Sequence, residues 1–90
     1  MKPNVIVINP KDNVAVALQD IPEGGTVILP GGEEFASLEN IPYSHKVAIG
    51  DIKQGMEVRK YGESIGYALG DIRKGAWVHT HNLTIEGETV

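Results

Sequence analysis

An eleven-residue pattern occurs three times in this 90-residue chain and restricts the folds that it can adopt. Its consensus is Ala-[Leu/Ile]-x-Asp-Ile-x-x-Gly-x-x-Val, and the copies span residues 17–27, 48–58 and 68–78. An Asp that starts a turn can accept hydrogen bonds from backbone N–H groups two residues later, and the Gly suits a positive φ angle. Each copy therefore predicts a strand, a tight Asp-Ile-x-x-Gly corner and a second strand.

The spacing of the corners bears on the repeat architecture. Asp20, Asp51 and Asp71 are 31 and 20 residues apart in sequence. A solenoid requires a fixed period, so this unequal spacing favours a compact β fold that reuses one corner. We interpret the three carboxylates as turn residues in preference to a cation-binding cluster, because the turn chemistry already accounts for them.

Short β-branched or alternating segments predict strands along the whole chain. No ten-residue segment shows a helical apolar period, so the sequence predicts an all-β domain. The first two strands are expected to form an antiparallel hairpin, and a helical turn is the alternative for residues 33–38. The predicted strands are 4–8, 14–18, 26–29, 33–38, 45–49, 56–61, 65–69 and 76–81, followed by a flexible tail at 83–90 with a weak strand at 83–85.

Length and composition narrow the class of function. One small domain spanning residues 1–90 would gain stability from a permanent partner, and its size also fits self-association. A net charge of −4 disfavours nucleic acid as a partner. The chain has no cysteine, which excludes thiolate metal sites, and it shows no membrane-spanning run or signal peptide. A cytoplasmic protein is therefore expected.

The third copy of the pattern continues into His79-Thr80-His81-Asn82, which the other copies lack. On a strand, His79 and His81 would project from one face with Cα atoms about 6.5–7 Å apart. This spacing suits two ligands of one metal or two donors to an anionic substrate. A His-x-His segment is, however, more often part of a solvated strand face than of a site. Asn82 adds an amide that can orient a hydroxyl-rich ligand.

Basic residues elsewhere form a second group of candidates. His45-Lys46 precedes the second copy, and Arg59, Lys60 and Tyr61 lie near one turn. Each group alone is best explained as an exposed strand end or face. Combined with the three histidines, these cations can serve a carboxylate substrate although the whole chain is acidic.

Two aromatic residues lie on the predicted strands near the end of the chain. Tyr67 and Trp77 alternate with apolar residues, and we interpret them as core or interface residues in preference to ligand-stacking ones.

The sequence has no P-loop, nucleophile elbow or cofactor fingerprint. The chain is also too small to enclose a deep pocket by itself, which indicates a binding or accessory module.

The segment from His45 to Asn82 resembles a known family. It contains His-Lys-x-Ala from His45, Tyr-Gly-x-x-Ile-Gly-Tyr-Ala from Tyr61, and Val-His-x-His-Asn from Val78. Together these motifs resemble the N-terminal SAF-type domain of the altronate and galactarate dehydratase (UxaA) family, and residues 12–17 resemble its opening strand. The resemblance implies a β-clip fold similar to antifreeze-like domains.

The resemblance also implies a function that is shared with another chain. The family eliminates water from sugar acids such as D-altronate, here with a small subunit beside a larger catalytic one. A divalent metal, iron or manganese, would be held mainly by the larger subunit. Ser44 stands where the family more often has glycine. By position, the candidate catalytic residues are His45, Lys46, His79 and His81, the metal candidates are His79 and His81, and the substrate-binding candidates are Tyr61 and Asn82.

Several functions remain open on the sequence alone. The leading hypothesis is the small subunit of a sugar-acid dehydratase, which caps the active site of the larger chain. The same small-subunit pattern is similar to that of sulfolactate sulfo-lyase, which eliminates sulfite. A free-standing binder of carbohydrates or carboxylates is a further alternative. The last is an assembly module in which the histidines are solvated and the region of Trp77 is an interface.

Overall fold

The computed structural model describes residues 2–84, which form nine short strands and no helix. The all-β prediction is therefore confirmed for this part of the chain. None of its elements is a helix of the length and apolarity that a membrane crossing requires. The strands are β1 (Val5–Ile6), β2 (Val14–Ala17), β3 (Thr26–Ile28), β4 (Glu34–Ala36), β5 (Lys46–Ala48), β6 (Glu57–Lys60), β7 (Glu63–Ala68), β8 (Trp77–Val78) and β9 (Leu83–Thr84).

The strands form three small antiparallel sheets. The largest has the order β1-β2-β5-β8, β3 pairs with β4, and the third sheet has the order β6-β7-β9. The predicted hairpin of β1 and β2 is confirmed, and residues 33–38 contain a strand and not a helical turn. The weak strand predicted at 83–85 is present as β9, which pairs with β7. The remainder of the predicted tail, residues 85–90, lies outside the described residues.

The corners occur as two pairs, because the chain contains a fourth copy of the pattern. Residues 37–47 read Ser-Leu-Glu-Asn-Ile-Pro-Tyr-Ser-His-Lys-Val, with Asn40 in place of Asp and Ser44 in place of Gly. With this copy included, the corners of each pair are 20 residues apart and the two pairs are related by 31 residues. An antiparallel bridge between isoleucines joins each pair, namely Ile21–Ile41 and Ile52–Ile72.

Each corner is capped by the side chain of its partner corner. The carboxylate of Asp71 accepts a hydrogen bond from the backbone N–H of Gln54, and that of Asp51 accepts one from Lys74. The predicted Asx-turn within one copy is therefore replaced by a reciprocal cap between two copies. The four acceptor–donor pairs are Asp20–Tyr43, Asn40–Glu23, Asp51–Lys74 and Asp71–Gln54, at 2.8–2.9 Å.

The paired corners build two equivalent hydrophobic cores. The last position of the pattern is a fully buried valine in all four copies, Val27, Val47, Val58 and Val78. The buried residues of the first core include Ile21, Val27, Ile41 and Val47, and those of the second include the equivalent Ile52, Val58, Ile72 and Val78. The domain is therefore an internal duplication, in which β5 and β8 are equivalent strands at the ends of copies 37–47 and 68–78.

Two asparagines extend the duplication to the strands that precede the corners. The side-chain amide of Asn4 bridges a carbonyl and an N–H of β3, and that of Asn13 bridges the equivalent groups of β6, at 2.7–2.9 Å. Val5 and Val14 follow these asparagines and are buried in the first and second core. In each half, the asparagine before the first strand is therefore hydrogen-bonded to the strand that follows the first corner, in the same way.

The glycine position of the pattern has a positive φ in every copy, including the one that carries serine. Ser44 has φ 73° and Gly55 has φ 83°. An L side chain is strained in this region, so we expect Ser44→Gly to raise the free energy of unfolding by about 0.5–1 kcal/mol. Urea denaturation measures the change. The matched control is Ser64→Gly, which lies inside β7 without positive φ and should lower stability by about 0.5–1 kcal/mol. Equal effects of the two substitutions would contradict the expectation.

Candidate functional site

The candidate site forms where β5 and β8, the equivalent strands of the two halves, pair with each other. In the antiparallel register of β5 and β8, Lys46 lies opposite Val78 and Val47 lies opposite Trp77. The same register, extended by one residue, brings His45 beside His79, and their ring centroids are 4.9 Å apart. Strand pairing therefore joins two of the sequence-predicted groups, His45-Lys46 and the histidine-rich segment after β8.

Trp77 lies at the centre of the three histidines. Its ring is stacked on that of His79, with centroids 5.3 Å apart and planes 7° apart. The rings of His81 and His45 lie at 5.0 and 5.7 Å from that of Trp77. The Nε1–H of Trp77 donates a hydrogen bond to Nδ1 of His45 at 3.1 Å. We call His45, Trp77, His79 and His81 the imidazole cluster.

A turn, and not a strand face, brings His79 and His81 to this cluster. β8 ends at Val78, and the carbonyl of His79 accepts a hydrogen bond from the N–H of Asn82 at 3.1 Å. The Asn82 side chain accepts from the N–H of His79 at 2.9 Å and donates to the carbonyl of Trp77 at 2.8 Å. The prediction of a strand through His81 is therefore wrong. Asn82 closes the turn with its amide, and its predicted substrate-binding role stays a prediction.

An open cleft of about 500 Å³ adjoins the imidazole cluster. Its lining is partly polar and partly apolar. We call the apolar part, which comes from β7, β9 and the start of the copy at residues 68–78, the apolar wall. The cleft therefore combines a cation and hydrogen-bonding groups with a hydrophobic surface. The polar lining residues are Lys46, His79, Thr80 and Thr84, and the apolar ones are Ile65, Leu69 and Leu83.

The electrostatics of the cleft disfavour positive charge. Burial, with a smaller contribution from the charge of Lys60, lowers the pKa of Lys46. Loss of hydration, followed by the neighbouring His45, Lys46 and His81, lowers the pKa of His79 below its ordinary value of 6.5. At neutral pH the imidazole of His79 is therefore neutral and able to accept a proton, and an anion in the cleft would relieve the repulsion around Lys46.

Tyr61 belongs to the turn between β6 and β7. The buried carboxylate of Asp12 accepts hydrogen bonds from the backbone N–H groups of Tyr61 and Gly62 at 3.2 and 2.7 Å. Tyr61 is 58% exposed, and Nζ of Lys60 lies 4.9 Å from the centroid of its ring. None of the contacts described for Tyr61 is with the imidazole cluster, so its substrate-binding role stays a prediction.

The imidazole cluster does not form a complete metal site by itself. Among residues 2–84, no group of three or more His, Asp or Glu side chains is arranged to hold a metal ion. Nδ1 of His45 is already occupied by the indole of Trp77. His79 and His81 would supply two ligands, whereas protein zinc sites use at least three protein ligands. The predicted metal role of His79 and His81 stays a prediction.

Sequence reasoning missed the contribution of Glu39 and underestimated that of Trp77. The carboxylate of Glu39 accepts a hydrogen bond from the backbone N–H of Trp77 at 3.0 Å, which fixes the free edge of β8. Glu39 precedes Asn40 in the fourth copy of the pattern. The fourth copy was the signal in the sequence that could have identified Glu39. It would have paired the corner of copy 17–27 with residues 37–47, which lie beside β8. Trp77 packs against the first core, as predicted, but it also organises all three imidazoles.

Comparison with known proteins assigns the fold to a family. The family described as the altronate/galactarate dehydratase SAF domain matches residues 3–86. The chain belongs to this family. The SAF domain is 46% identical to altronate dehydratase of Escherichia coli (strain K12) over 77 residues, which cover 86% of this chain and 15% of that protein. It is 40% identical to galactarate dehydratase (L-threo-forming) of the same strain over 73 residues, 81% of this chain and 14% of that protein.

A shorter match connects the SAF domain with a different lyase. It is 51% identical over 43 residues to (2R)-sulfolactate sulfo-lyase subunit alpha of Paracoccus pantotrophus, covering 48% of this chain and 64% of that subunit. The SAF domain thus spans about 15% of the length of the dehydratases that it matches. The family resemblance and the fold expected from the sequence are confirmed.

Proposed function

We propose that this SAF domain is the small subunit of a sugar-acid dehydratase and that it caps the active site of a larger catalytic chain. The observation that carries the proposal is the meeting of Lys46 and His79 on one open cleft beside the imidazole cluster. The named relatives support the reaction class, since the domain matches a small part of two dehydratases of sugar acids. A larger chain would supply the walls that this small cleft lacks.

The chemistry of the cleft suits a carboxylate substrate. β-Elimination of water requires a base that removes the proton next to the carboxylate and assistance to the departing hydroxide. Lys46 is the cation against which a carboxylate would bind, because an anion there offsets its repulsion from Lys60. His79 is neutral at neutral pH and is our candidate for the proton acceptor.

The apolar wall of the cleft has a different role in this proposal. Ile65, Leu69 and Leu83 do not match the hydroxyl groups of a sugar acid, and we assign them to contact with the larger chain. The divalent metal, iron or manganese, is assigned mainly to that chain, since the described residues hold no complete site. This SAF domain would then contribute a cation and imidazoles to a site that two chains build together.

Reconstitution with a catalytic chain of the altronate or galactarate dehydratase type tests the proposal. We expect dehydration of altronate or galactarate to require both chains, with turnover by the catalytic chain alone at least tenfold lower. The assay measures the 2-keto-3-deoxy acid product. Full activity of the catalytic chain without the SAF domain would overturn the proposal.

Two alternatives give different results in the same set of experiments. Similarity to the sulfolactate sulfo-lyase subunit alpha favours sulfite release as the second candidate reaction, and sulfolactate is therefore assayed beside the sugar acids. A free-standing binder would take up altronate or galactarate without a partner, which calorimetry of the isolated chain detects. The leading proposal expects no binding in that calorimetric experiment.

A further inference from the structure

We propose that Trp77 is a positioning residue that fixes which nitrogen of His45 carries the proton. Nε1 of Trp77 lies 3.1 Å from Nδ1 of His45. An indole N–H can only donate, so Nδ1 must be the unprotonated acceptor. A neutral imidazole then carries its single proton on Nε2, and His45 offers an Nε2–H donor to a ligand.

The indole can impose this choice because the backbone of Trp77 is held on both sides. Its N–H donates to the carboxylate of Glu39 at 3.0 Å, and its carbonyl accepts from the amide of Asn82 at 2.8 Å. The ring packs against the first core and is stacked on His79. An outer hydrogen bond from a rigid neighbour commonly sets the tautomer and orientation of a functional histidine.

The tautomer of His45 gives His45 and His79 different roles. Neutral His45 cannot accept a proton at Nε2, because that nitrogen already carries one. It is therefore a hydrogen-bond donor to a carboxylate or hydroxyl oxygen, and the role of proton acceptor falls to His79. The tautomer itself follows from the geometry, whereas this division of roles rests on the proposed function.

Nuclear magnetic resonance of the nitrogen-15-labelled chain tests the tautomer without any partner or substrate. The chain has one tryptophan, so a single indole N–H signal reports on Trp77. At pH 8 to 9 we expect a scalar coupling through the hydrogen bond between Nε1 of Trp77 and Nδ1 of His45. We also expect long-range correlations that identify Nδ1 of His45 as unprotonated. A protonated Nδ1, or the absence of the coupling, would overturn the proposal.

Substitution adds a second readout on the folded chain. Trp77→Phe keeps an aromatic ring but removes the indole donor, so we expect His45 to populate both tautomers while the backbone amide spectrum stays dispersed. His81→Phe is the matched control, because it alters the cluster without removing the indole N–H, and it should leave the His45 tautomer unchanged. A tautomer that is insensitive to Trp77→Phe would contradict the positioning role.

Kinetics of the reconstituted enzyme test the donor role separately. His45→Gln retains an amide N–H near the position of Nε2–H, whereas His45→Asn offers a donor only near Nδ1. A hydrogen bond to a charged group is worth about tenfold or more in affinity, so His45→Asn should raise KM by about 10–100-fold and His45→Gln by less. A fall in kcat at unchanged KM for His45→Gln would overturn the donor role. Failure of reconstitution would count against the proposed function and leave the resonance result standing.

Discussion

Replacement of both His79 and His81 by Ala is expected to lower turnover of the reconstituted two-chain enzyme by about 10²–10⁴-fold, the contribution typical of positioned acid–base groups. His79 lines the cleft and is neutral at neutral pH, since loss of hydration and the charges of neighbouring groups lower its pKa. His81 contacts the ring of Trp77. The measurement is kcat with altronate, for a complex shown to be intact by size-exclusion chromatography.

The control variant for this experiment should also replace two side chains by Ala, and it should leave the two-chain complex intact. Lys53 and Gln54 are exposed residues of the corner in copy 48–58, and the corresponding double Ala variant should keep turnover within about twofold. Single His79→Ala and His81→Ala variants then divide the effect, and we expect the larger share at His79. Turnover near that of the unmodified enzyme, with the complex intact, would exclude the histidines from the reaction.

Replacement of Gly66 by Ala is expected to remove about 3–5 kcal/mol of folding free energy, a large part of the stability of a small domain. Gly66 has φ 151°, and a Cβ atom there would lie 2.1 Å from the carbonyl oxygen of Thr84 and 2.9 Å from the side chain of Leu83. The substitution therefore forces β9 away from β7. The free energy of unfolding is measured by urea denaturation.

Two other glycines provide matched controls for Gly66→Ala. A Cβ atom at Gly50 or Gly70 would meet no atom within 4 Å, and neither residue has positive φ. Gly50→Ala and Gly70→Ala should therefore change stability by less than about 0.5 kcal/mol. A Gly66→Ala midpoint equal to that of Gly70→Ala would contradict the predicted clash. Because Leu83 forms part of the apolar wall, Gly66→Ala should also weaken association with the catalytic chain.

The internal duplication explains how a small domain with two equivalent halves forms a single candidate site. The two halves have equivalent corners, caps and cores, but their equivalent strands β5 and β8 differ in the side chains on and beside them. His45 directly precedes β5 and Lys46 begins it, whereas β8 leads from Trp77 into the histidine turn. Because β5 and β8 pair with each other, these differences meet at one place. The equivalent halves thus form the scaffold, and residues in which they differ form the imidazole cluster.

Sequence reasoning was most accurate where the signal was local. Alternation and β-branched segments predicted the strands, and the Asp-Ile-x-x-Gly pattern predicted the corners. It missed the fourth corner because Asn40 and Ser44 replace the expected residues, although an amide oxygen accepts the same hydrogen bond and serine occupies the same positive φ. It predicted caps within each copy because a pattern read along the chain does not show that a partner corner lies opposite.

The sequence by itself determined the local elements and the identity of the candidate residues, including His45, Lys46 and His79. Tertiary structure decided how they meet. A period of two predicted His79 and His81 on one strand face, but the side chain of Asn82 closes a turn that brings both to Trp77. The contact of His45 with His79 and the indole hydrogen bond depend on the register of β5 and β8. Local preferences are set by adjacent residues, whereas register is set by cores and corners assembled from residues far apart in sequence.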